Sequence, residues 1–187
     1  AWMHHFGAGL VPAPGDLGLR GEVPVHCELL DDLARRFVDE GGWSLRWLHR
    51  EIVTSRAFRQ SSAVRADLAE RDPDNRLFAR ANRRRLEWEA WRDSLLVAAA
   101  TLDHTRCGGR GVDPLAAESM AVRSIYGRLD RQDVPGLLRA FDVANPDTAV
   151  HVRVRTTVPQ QSLAVLNSEL MVNAARRLAT RVRTEVA

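Results

Sequence analysis

Glu89 and Asp93 lie four residues apart, and Arg85 and Arg92 stand at spacings of three and four from them in the stretch around EWEAWRDSLL. On a helix these four side chains share a face. Paired carboxylates can serve as general acid and general base when their surroundings separate their pKa values. The same spacing builds a ladder of ion pairs, and neighbouring guanidiniums lower carboxylate pKa values, which suits a salt-bridge network better than a poised acid. Trp88 and Trp91, interleaved with the carboxylates, read as core, with sugar stacking on exposed indoles as the alternative.

Other reactive residues are less well placed. His4 and His5 are adjacent and point about 100° apart on a helix, poor geometry for one metal. His26, Cys27, His104 and Cys107 are acceptable zinc ligands by type, but nothing in their spacing makes them converge, and no metal site is assigned. The two cysteines allow at most one disulfide, whose existence the sequence leaves open. No G-x-S-x-G elbow occurs, and Ser44, Ser55 and Ser168 read as caps. The glycines of CGGRGVDP lack phosphate-loop spacing.

The elements that must position these groups are mostly helices. Apolar periodicity predicts helices over the first residues, stopped at Gly7 or Gly9, over 26–40, from a Ser44 N-cap onward, over 82–102, over 114–121, from Asp133 to Phe141, and from a capping box at Thr157–Gln160. A break at Asn167 and Ser168 precedes a last helix. The stretches 122–128 and 150–156 are strand candidates, the second by its alternation of valines with His151, Arg153 and Arg155, and they could pair as a ribbon. The expected fold is therefore mainly α: one compact, irregular helical domain over 1–187 with at most a small two-stranded β-ribbon.

With 45% hydrophobic residues the 187-residue chain can bury a core. Every one of the 27 basic residues is arginine, interspersed with 24 acids, and the net charge is only +3. That argues against a nucleic-acid partner, which needs a gathered basic face. No apolar run reaches the roughly 18 residues of a bilayer span. The start, Ala1-Trp2-Met3, reads as an excised piece of a longer polypeptide.

Several strings recur together in one family: HHFGAGLV, DLGLRGEVPVHCELLDDLA, GGWSLRWLHREIVTSRAFRQSS, DPDNRLFARANRRRLEWEAWRDSLL, RSIY and TTVPQQSLAVLNS. In that order the chain resembles the PSD1-type C-terminal domain of unknown function of planctomycete proteins that also carry a cytochrome-c domain. Cys27, Asp32 and Val122 depart from the family's pattern. The resemblance implies export to the periplasm or cell surface, and it implies haem on an upstream domain only, since this chain has no C-x-x-C-H. The expected function is a non-catalytic interaction or structural module, with other domains of the parent protein or a protein partner as its target. The alternative is a hydrolase or glycan-binding module acting on a polysaccharide. Its catalytic candidates are Glu89, Asp93, Arg85 and Arg123, and its ligand-binding candidates are Asn75, Trp88, Trp91 and Gln160. A catalytic site requires these groups to converge on an open centre, whereas a structural role requires them paired.

Overall fold

A computed structural model describes residues 1–13, 15, 16, 21–116, 121–150 and 152–186. Among them are eight α-helices, and the only β feature is one isolated parallel bridge between Val112 and Gly127. The architecture is thus mainly α without a sheet. Contacts group the chain into two compact units, Ala1–Arg85 and Leu86–Ala187.

The first unit contains α1 (Trp2–Phe6), α2 (Cys27–Asp39), α3 (Leu45–Thr54) and α4 (Ala66–Arg71). Gly7 stops α1 in the left-handed conformation at φ 81°, as its position predicts. α1 packs on α3, and Phe6 and Ile52 are buried. Around Phe6 stand Trp2 at 4.1 Å, Phe78 at 5.4 Å and Phe58 at 6.0 Å between ring centroids. The Ser44 and Ser55 hydroxyls accept from Trp47 N–H and Phe58 N–H as the expected caps. Helix α4 falls where Pro73 suggested an interruption. Its sequence ADLAER favours helix, and the proline ends it two residues later rather than preventing it.

The second unit contains α5 (Trp88–Ala98), α6 (Gly136–Ala140), α7 (Pro159–Asn167) and α8 (Glu169–Val186), with a 3-10 turn at Ser124–Tyr126. α5 packs against that turn and against α8, and α7 packs against α6 and α8. Leu96 on α5 and Ala174 on α8 are fully buried, and Trp88, Val122 and Leu138 nearly so. The extended Ser168, at ψ 135°, separates α7 from α8 at the expected break.

Three expectations differ from what is observed. The helix predicted over 82–102 spans only 88–98, because residues before it bond elsewhere: Asn82 donates its amide to Phe6 O and accepts from Asn75. The two strand candidates form no ribbon, since 124–126 coils as 3-10 and 152–157 runs irregularly. The capping box shifts by one residue, with Val158 as N-cap and Gln161, not Gln160, accepting from Val158 N–H at 3.4 Å. A valine side chain cannot return the bond, so only that half of the box forms. Of the helix expected over 114–121, residues 114–116 form a turn and 117–120 lie outside the described residues.

Candidate functional site

Helix α5 sorts its polar groups by the turn. Arg92 faces inward at 1% exposure, while Glu89 and Asp93 flank it at the edge of a cavity of about 550 Å³ within the second unit. Glu87, Arg123 and Arg153 also line this cavity, over an apolar wall that includes Leu129, Leu138 and Val143. Four of the expected groups, Trp88, Glu89, Asp93 and Arg123, therefore meet on one cavity.

Each carboxylate there has partners. The guanidinium Nη1 of Arg153 donates to Glu89 Oε2 at 2.8 Å and lies 3.3 Å from Glu87 Oε2. Burial pushes the Glu89 carboxyl up, but the Arg153 hydrogen bond, its own backbone amide and the Arg153 charge outweigh this, leaving it below its ordinary value. Asp93 accepts from Ser124 N–H at 2.8 Å and Ser124 Oγ–H at 2.7 Å, with Arg123 Nε at 3.4 Å. Arg92 donates from Nη1 to Val122 O at 3.0 Å and Ser124 Oγ at 3.2 Å, and Nη1 lies 3.7 Å from Asp93. Burial pushes the Arg92 guanidinium down, and Asp93 opposes that shift. A general acid must keep its proton near working pH, and the Glu89 environment favours the opposite.

Trp88, although it lines this cavity, is buried and Trp91 is half-buried, both against Phe141, at 4.9 and 5.5 Å. The remaining candidates stand elsewhere. Gln160 is exposed and lines neither this cavity nor the one around Arg131, whereas its neighbour Gln161 is buried and donates to Ala140 O at 2.7 Å. Arg85 and Asn75 belong to the first unit. Asn75, at φ 53° and 2% exposure, donates to Arg80 O and Asn82 Oδ1 and accepts from Arg80 N–H. Beside it Asp72 accepts from Leu77 and Arg76 N–H, which hold its carboxyl below the ordinary value. This corner of the unit is a closed polar knot around the DPDN turn.

Among the described residues no group of three or more His, Cys, Asp or Glu could hold a metal ion. Cys27 and Cys107 are both free and exposed. His5 Nε2 and His49 Nδ1 approach to 2.7 Å, a contact that the separation of 44 residues hid from sequence reasoning. Arg153 was hidden in the same way. It read as the polar side of a strand, and only the fold brings it to Glu89.

A family profile matches the chain over residues 1–187. The chain belongs to the PSD1 family. That family is described as a protein of unknown function, DUF1553. No curated protein and no solved structure gives a significant match. The site of this PSD1 chain must accordingly be read from its own geometry, in which the carboxylates of α5 are held by guanidiniums, a serine and backbone amides. No helix among the described residues is long and apolar enough to cross a membrane.

Proposed function

We propose that this PSD1 chain is a non-catalytic interaction and structural module of an exported, multidomain protein. The observation that carries the reading is its surface. Large apolar side chains stand exposed on both units: Trp43, Ile125, Val154 and Leu166 are each at least 70% exposed, and Leu45, Val64 and Leu86 more than half. Protein-contact surfaces concentrate exposed apolar area of this kind.

The partner proposed is the remainder of the parent polypeptide, a choice that, like the exported location, follows what the resemblance of the sequence strings to a cytochrome-c-containing protein type implies. Any haem then belongs to that remainder. Sedimentation velocity of this chain mixed with the remaining domains tests the reading. A single faster species at micromolar concentrations is expected, and two independent boundaries at all concentrations contradict it.

A second reading, a glycan-binding or hydrolytic site, is favoured by one observation, the shared cavity of Glu89, Asp93 and Arg123. It requires reducing-sugar release from a cell-surface polysaccharide that Glu89→Gln abolishes without unfolding the chain.

A further inference from the structure

Within the second unit a cavity of about 520 Å³ opens between the 131–146 region and Val150, Val152, Arg153 and Val154. Val150, Val152 and Val154, alternating in sequence, all line it, together with Arg131, Arg139 and Asp142. Among the described residues, Val152 to Arg155 make no backbone–backbone hydrogen bond, although their alternation suits a strand. Each peptide group there keeps a donor and an acceptor for another chain.

Charge selects what can lie in this groove. Arg131 and Arg139 form no ion pair among the described residues, and Arg139 spends its Nε on Val134 O at 2.8 Å. Arg153 is matched by Glu89 and Glu87. The one carboxylate among the described lining residues, Asp142, is occupied by Thr156 N–H at 2.7 Å and Thr156 Oγ1–H at 2.8 Å. Two guanidiniums thus remain for an anionic ligand above a floor of valines. Among the described residues the lining has no aromatic ring on which a base could stack, which disfavours a single-stranded nucleic acid. A small carboxylate would use the arginines but leave the row of free peptide groups unused.

We propose that this groove binds an extended acidic peptide, which adds as a strand to residues 152–155, turns aliphatic side chains onto the valines and sets acidic ones against Arg131 and Arg139. The inference rests on the reading of the chain as an interaction module and names the site and the chemistry of its partner. The test is fluorescence anisotropy of a capped, labelled peptide of about eight residues alternating glutamate and valine, titrated with the whole chain. The glutamate peptide should bind at least about tenfold more tightly than its lysine counterpart. Arg131→Glu, an exposed position without an ion pair, should weaken it by about tenfold while leaving the circular dichroism spectrum unchanged. Methylating alternate backbone nitrogens of the peptide should also weaken binding, because strand addition needs those donors.

Equal binding of the lysine peptide, indifference to Arg131→Glu, full affinity of the methylated peptide, or no binding at all each overturns the proposal. If the chain meanwhile associates with the parent's other domains, only the groove assignment falls; if that association is also missing, the interaction reading falls with it.

Discussion

Burying the Arg92 guanidinium takes a permanent charge out of water, and Val122 O, Ser124 Oγ and Asp93 are what compensate it. Arg92→Met keeps about the same volume but takes this donor from Val122 O and the charge from beside Asp93, so it should destabilise the chain by about 3 kcal/mol in urea unfolding. A loss below half a kcal/mol would mean that the network is ornamental. Protonation tests two other residues. His5 is lowered from 6.5 by burial first, then by His49, Arg84 and His4, so the unfolded chain binds its proton more readily than the folded one. Stability contributed there is complete above pH 6.5 and drains as the pH falls below it. Glu89, lowered from 4.5, contributes stability that is present above that value and is lost as the pH falls through its lower folded value. Thermal melts against pH should therefore show two separate declines, and His5→Gln should remove only the upper one. The spacing of Glu89 and Asp93 made their shared face legible in the sequence. Their partners were not, because Arg153 is 64 residues from Glu89 and Ser124 is 31 from Asp93.

At the scale of elements, the end of α5 combines a correct expectation of helix with an unexpected stop. Thr101 N–H bonds to Leu96 O at 3.0 Å and Ala100 N–H to Val97 O at 3.0 Å, the paired bonds of a Schellman motif. The residue that must turn left-handed is Ala100, at φ 52°. No glycine announces this stop, which is why periodicity carried the helix on to Leu102. Ala100→Gly should relieve the strain and raise stability by about 1 kcal/mol, read as a higher melting temperature; a lower one would show that the alanine methyl packs usefully. Local signals worked where they were local. Gly7, Ser44, Ser55 and Ser168 mark the boundaries they were expected to mark. The long valine alternation at 150–156 failed as a ribbon because a strand needs a partner, and 122–128, the only other candidate, folds back on itself in a 3-10 turn.

For the whole molecule the same point applies at larger scale: the PSD1 sequence carries more apolar residues than its own two units cover, and composition alone does not say where the rest are buried. Helical periodicity shows that α2 is amphipathic, yet none of its residues is buried, and Leu29 and Val38 remain exposed. Such surface has a thermodynamic signature on association, since covering it gives a negative heat-capacity change. Titration calorimetry of this chain into the other domains proposed for its parent polypeptide, repeated between about 10 and 35 °C, reads that quantity directly. If the chain is an interaction module, binding becomes steadily more exothermic with temperature, with a heat-capacity change matching well over 1,000 Å² of buried surface. Absence of binding, or binding whose enthalpy does not change with temperature, would contradict it.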